Sequence, residues 1–178
     1  MLDAARACVL AVGFRRTTFS DVARRAGVSR MTLYRRFPDL ETLLSALMTR
    51  EFGRVVERAR EAGSGAATCR ERAVAMVTLA AQRLHADPLF NRLLDVDPEL
   101  LLPYVTVRLG GMQRMAVAGL TAELEAGMGD GSIRLGRPAA LAGVIELMAR
   151  GFVLAREPAR PPDAWAELGR AVDGYLRP

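Results

Sequence analysis

Residues 14–37 read Phe-Arg-Arg-Thr-Thr-Phe-Ser-Asp-Val-Ala-Arg-Arg-Ala-Gly-Val-Ser-Arg-Met-Thr-Leu-Tyr-Arg-Arg-Phe. In Thr18-Phe-Ser-Asp21 a hydroxyl stands where it can accept a free N–H three residues on, with an acid in the first turn, so a helix starts there. Gly27 ends it, because glycine takes the left-handed closing conformation at the least cost. Ser29 then caps a third, very short helix that stops at Phe37-Pro38. Ala23, four residues before Gly27, is small enough to let the two helices approach. Two helices joined by a tight turn carrying glycine describe a helix-turn-helix.

Helical phase gives the short helix its sides. At about 100° per residue, Leu33 and Phe37 point the same way, toward Val9, Val22 and Ala26. Arg35 points almost opposite, with Met31 and Thr32 beside it, and Tyr34 and Arg36 lie on the flanks. Such a helix suits a DNA major groove: the outward wedge reaches base edges, and the flanking hydroxyl and guanidinium reach phosphates.

The stretch resembles the DNA-binding signature of TetR/AcrR-type transcriptional regulators, most specifically in Ala-Gly-Val-Ser-x-x-Thr-Leu-Tyr-x-x-Phe, residues 26–37. The resemblance implies an N-terminal helix-turn-helix domain over residues 1–45 and a helical effector-binding and dimerisation domain over 46–178. It makes Thr18, Ser29 and Tyr34 phosphate contacts and turns Arg30, Met31, Thr32 and Arg35 toward bases or adjacent backbone. Family members commonly grip a phosphate with a lysine early in the fourth helix. Here Leu40 stands at that place, between Asp39 and Glu41, and Arg36 is the residue to substitute. Met1 already falls in the first helix, where relatives often have a basic arm.

Charge points the same way. All 25 cations among the 178 residues are arginine, against 20 acids. Residues 1–50 hold nine arginines and four acids (Asp3, Asp21, Asp39, Glu41), so the whole net charge of +5 sits there, and the remainder is balanced. That asymmetry indicates a polyanion-binding module joined to a neutral one. With 51% hydrophobic residues the chain has ample material for a core. No stretch free of Asp, Glu and Arg exceeds ten residues (Ala73 to Gln82), whereas a membrane span needs about 20. No secretory signal opens the sequence, so the cytoplasm is the expected location.

Elsewhere helical periodicity dominates and nothing alternates like a half-buried strand, so the expected fold is all-α with about nine helices. Three lie before residue 38; the others are expected near 39–61, 66–86, 88–94, 104–126, 138–156 and 162–176. Asp87-Pro88 and Asp97-Pro98-Glu99 each read as an N-cap followed by proline in the first turn. Residues 138–156 are apolar almost all round, with Glu146 and Arg150 an i,i+4 pair. The final helix carries a narrower stripe. The resemblance places these two helices in a dimer interface through Leu141, Ile145, Met148, Trp165, Leu168 and Val172; burial in the chain's own core is the alternative.

Met76, Phe90, Tyr104, Met112, Met115, Met148 and Phe152 are candidates for an effector pocket, since adaptable methionine suits a lipophilic small molecule. His85 reads as a hydrogen-bonded or helix-terminal histidine, and Cys8 and Cys69 as two buried thiols. No metal cluster, phosphate loop or convergent carboxylate pair accompanies them, so neither enzyme, cofactor nor metal is expected. The expected function is a ligand-responsive regulator, by default a repressor, that binds palindromic double-stranded DNA as a homodimer. The alternative is a helical small-molecule-binding or interaction protein whose helix-turn-helix has lost DNA binding.

Overall fold

Capping chemistry sets where several helices begin. The Thr18 hydroxyl accepts from the Asp21 N–H at 3.2 Å, Ser29 from Thr32 at 3.1 Å, Asp39 from Thr42 at 2.6 Å and Asp87 from Phe90 at 2.9 Å. Each meets one of the donors that a helix start leaves unpaired. The computed structural model describes residues 1–100, 102, 110–156 and 161–178. Among them are nine α-helices and no strand: α1 Leu2–Val12, α2 Phe19–Ala26, α3 Arg30–Arg36, α4 Leu40–Gly63, α5 Cys69–His85, α6 Pro88–Val96, α7 Gly111–Gly129, α8 Pro138–Leu154 and α9 Ala164–Leu176. The all-α expectation holds. Of the helix expected over 104–126, residues 104–109 lie outside the described residues.

The chain packs as two units, Met1–Phe52 with Ala86–Gly111, and Gly53–His85 with Met112–Pro178. α4 begins in the first unit and continues into the second. Unit one is built on Ala5, Val9, Val22, Ala23, Leu33, Phe37, Leu43 and Leu47, and its core also takes in Leu89 and Leu93 from α6. α6 therefore belongs by packing with the helix-turn-helix, far along the chain from the other members of that core.

Asp97 shows why, and it corrects an expectation. Its carboxylate does not cap the segment that begins at Pro98, where Pro98–Leu100 form a 3₁₀ turn. The side chain, 1% exposed, instead accepts the Phe14 N–H at 2.8 Å. Phe14 follows Gly13, which has φ +85° and lies against Val96 and Asp97, so that a Cβ there would meet Val96 at 2.9 Å. Arg15 adds an ion pair with Glu99 at 2.5 Å, and Arg92 donates to the Ala11 carbonyl at 3.4 Å. The turn between α1 and α2 is thus seated on the end of α6.

In unit two, α5, α8 and α9 pack on one another. The start of α5 is held from outside the helix: Asp130 accepts the Cys69 N–H at 3.1 Å and the Ser132 hydroxyl accepts that of Arg70 at 3.2 Å. The end of α9 is closed by Arg134, whose Nε donates to the Tyr175 carbonyl at 2.7 Å while its guanidinium lies over the Tyr175 ring. His85 ends α5 with Nδ1 3.0 Å from the Val153 carbonyl and its ring edge-on to Trp165. Cys8 and Cys69 are free and buried.

Four of the residues expected at a subunit interface are already covered. Leu141, Ile145, Leu168 and Val172 are buried within unit two, because the stripe that carries them faces the other helices of the unit. Met148 and Trp165 are half-buried. The apolar side chains α8 leaves open are Val144 and Leu147, 39% and 59% exposed.

Candidate nucleic-acid interface

The face of α3 is set by what the helix buries. Leu33 is fully buried and Phe37, its C-cap, nearly so, which turns Met31, Tyr34, Arg35 and Arg36 outward. Gly27 makes the geometry possible: it sits at φ 66°, ψ 31°, where its N–H closes α2 on the Ala23 and Arg24 carbonyls. A side chain at that left-handed position would cost energy that glycine avoids. Ala23, 3% exposed, is buried in the core of the unit.

The hydroxyls differ in what they have left to offer. Thr18 accepts the Asp21 N–H and also donates its one proton to the Asp21 carboxylate at 2.6 Å. That bond, with Arg24 at 2.7 Å, holds the Asp21 carboxyl below the usual carboxylate range. Thr18 can donate to a phosphate only by leaving Asp21. Ser29 and Thr32 hydroxyls lie 2.9 Å apart, so whichever donates, the other keeps a free O–H. Tyr34 is half exposed, and its ring is pinned edge-on to Phe19 with centroids 4.6 Å apart, which fixes where the phenol oxygen points.

The cations are free to act. Arg16, Arg25, Arg30, Arg35 and Arg36 are exposed, and among the described residues none of them pairs with a carboxylate. Arg15, by contrast, is tied to Glu99, and Arg24 to Asp21. Leu40 packs against the core of the unit, and Asp39 is the cap of α4, its carboxyl lowered by the Thr42 N–H. The substitution at the lysine position is therefore an inward-facing leucine, and of the two acids beside it only Glu41 stands free of a cap. Arg16 and Arg25 were not singled out by phase, although the charge count contains them. Nothing local in the sequence points to the partners of Asp97 and Arg92, which lie 83 and 81 residues away.

The candidate effector residues fall in both units. Phe90 is buried in unit one. Met76 is buried in unit two, where Met112, Met148 and Phe152 are half-buried and Met115 is exposed. Tyr104 lies outside the described residues. Among the described residues no group of metal-ligating side chains comes together, and no helix is long and apolar enough to cross a membrane.

Comparison with known proteins gives this arrangement a family. The profile of bacterial regulatory proteins of the tetR family matches residues 1–47. The uncharacterized HTH-type transcriptional regulator Rv2250c of Mycobacterium tuberculosis is 34% identical over 180 residues, covering 99% of this chain and 92% of its own. AqdR, an HTH-type transcriptional regulator of Rhodococcus erythropolis, is 47% identical over 51 residues, 28% of this chain and 25% of its own. The fold matches the TetR-family repressor AlkX of Dietzia sp., implicated in n-alkane biodegradation, with TM-score 0.73 and 24% identity over 98% of this chain and 92% of that one. It also matches FadR of Bacillus subtilis, solved in complex with stearoyl-CoA, with TM-score 0.63 and 20% identity over 99% and 95%. With its helix-turn-helix in place and a relative of this identity along nearly its whole length, the chain belongs to the tetR family of bacterial helix-turn-helix transcriptional regulators.

Proposed function

We propose that the protein is a one-component repressor: a homodimer that binds a palindromic operator through Ser29 to Arg36 and releases it when a lipophilic small molecule binds the helical region that follows. The observation that carries the reading is the exposed face of α3, where Arg30, Arg35 and Arg36 stand without carboxylate partners on a helix anchored by Leu33 and Phe37. Unpaired guanidinium groups around an exposed phenol are equipped for phosphate and base edges. A dimer would present two such helices about 34–36 Å apart, one turn of duplex. Val144 and Leu147 on α8 are the uncovered apolar side chains that a second copy could meet.

The effector class is supported by FadR, solved with stearoyl-CoA, and by AlkX, implicated in n-alkane degradation. Met76, Met112, Met115, Met148 and Phe152 give the second unit adaptable apolar side chains for such a ligand. The ligand lowers DNA affinity only if it binds more tightly to a conformation that fits the operator poorly.

Selection of bound duplexes from random oligonucleotides, followed by fluorescence anisotropy at two salt concentrations, tests the reading. A palindrome should emerge, and affinity should fall steeply with salt as phosphate contacts release counterions. A second reading, a helix-turn-helix that has lost DNA binding, draws on Leu40, which turns into the core where a phosphate-gripping lysine is expected. Failure to select any sequence with a folded dimer decides for that second reading.

A further inference from the structure

We propose that α3 reads a thymine and a guanine one or two base-pair steps apart in each half-site, Met31 covering the thymine 5-methyl group and Arg35 engaging the guanine O6 and N7. The assignment rests on the DNA-binding reading above and concerns which bases that face selects.

Met31 is 68% exposed, among the most exposed large apolar side chains of the chain. It lies one turn before Arg35 on the same outward face, with the exposed Arg30 beside it in sequence. With most of its apolar surface in water, contact with an apolar group would be favourable. A major groove offers one apolar group at its base edges, the C5-methyl of thymine. The flexible thioether can adapt its three torsions to that small target.

Arg35 is exposed and without a carboxylate partner among the described residues. Its planar fork matches two acceptors side by side, which only guanine presents in the major groove. Thr32 is half-buried; its N–H is capped by Ser29, and its hydroxyl lies 2.9 Å from the Ser29 hydroxyl. Of the outward side chains, Met31 offers the exposed apolar surface and Arg35, on the same face, the fork. Side chains four apart on a helix stand about 5–6 Å apart. Successive bases are about 3.4 Å apart along a strand, so the two side chains reach positions one or two steps apart. Tyr34, pinned on Phe19, limits how far the helix can roll in the groove and exchange the two roles.

The experiment uses the full chain and its selected operator. Each thymine of a half-site is replaced in turn by deoxyuridine, which removes only the methyl group. Each guanine is replaced in turn by 7-deazaguanine, which removes only the N7 acceptor. One thymine should show an about three- to tenfold loss of affinity that vanishes in Met31→Ala and persists in Met31→Leu. One guanine within two steps should show a loss of about tenfold or more that vanishes in Arg35→Ala. Arg36→Ala should weaken every duplex while preserving both penalties. Met31 and Arg35 face solvent, so these variants should keep the wild-type circular dichroism and dimer mass. A thymine penalty that survives Met31→Ala, or no thymine or guanine penalty anywhere, overturns the inference and leaves DNA binding standing. A wild-type dimer that selects no duplex overturns the underlying reading instead.

Discussion

In the second unit Arg72 meets Glu123 at 2.6 Å, Arg70 lies 3.1 Å from Asp173, Arg150 is 3.2 Å from Glu146, and Arg177 reaches Asp173 at 2.7 Å. Arg60 and Arg170 pair with Glu57 and Glu167 one turn away. In the helix-turn-helix, Arg16, Arg25, Arg30, Arg35 and Arg36 have no such partner among the described residues. One residue type thus serves two purposes in one chain. Downstream of α4 its charge is largely answered within the fold; around α3 it is left for something outside. Net charge alone does not separate these cases, because a paired and an unpaired arginine count the same.

The contrast can be tested at its extremes. Arg35→Ala should reduce affinity for the selected operator by about 10- to 100-fold and flatten discrimination among related sequences, as read by anisotropy, with an unchanged melting temperature. Arg150→Ala acts on the other side of the comparison. It removes the cation facing Glu146, whose side chain is only 12% exposed, and should cost roughly 1–3 kcal/mol in urea denaturation without touching DNA specificity. Burial pushes the Glu146 carboxyl above its usual value, with Arg150 offsetting part of the rise. The folded state therefore holds that proton more tightly than the unfolded state. This group's contribution to stability declines as pH rises from the unfolded value through the folded one, and Glu146→Gln should remove that decline.

A smaller effect is expected at Tyr34. Tyr34→Phe keeps the ring on Phe19 and loses only the phenol, so binding should weaken about three- to tenfold for all sequences alike. The finest test pairs Arg25→Ala with Arg60→Ala. If Arg25 meets a phosphate, its loss should lower the slope of log affinity against log salt by about one, and that of Arg60 should leave it unchanged.

What could be read from the sequence depended on distance along the chain. The caps at Thr18, Ser29 and Asp87, the turn at Gly27 and the inward faces of Leu33 and Phe37 all rest on residues within a turn or two, and the structure has them. Asp97 defeated the same logic. Asp-Pro-Glu has the local form of a helix start, but a buried backbone N–H contributed by residue 14 outcompetes that role. Hydrophobic periodicity in α8 and α9 showed that a stripe must be covered, but not by what. For Leu141, Ile145, Leu168 and Val172 the cover comes from the same unit. Candidate effector residues chosen by type alone carried no distance information, and Phe90 lies in a different unit from Met76 and Met148.

The bond from Phe14 to Asp97 also bears on how the molecule is made. When the ribosome releases the first fifty residues, the unit that carries α3 still lacks Leu89, Leu93 and the acceptor for its buried turn. At about 5–20 residues per second, residues 51–97 take roughly 2–9 s to synthesise. During that interval the arginine-rich segment is a nascent chain beside ribosomal RNA, itself a polyanion. Completion of the reading head is thereby delayed until more than half of the protein has been translated. A chimera that transplants only residues 1–52 would hold the head permanently at that unfinished stage, so a portable version must bring residues 86–111 with it.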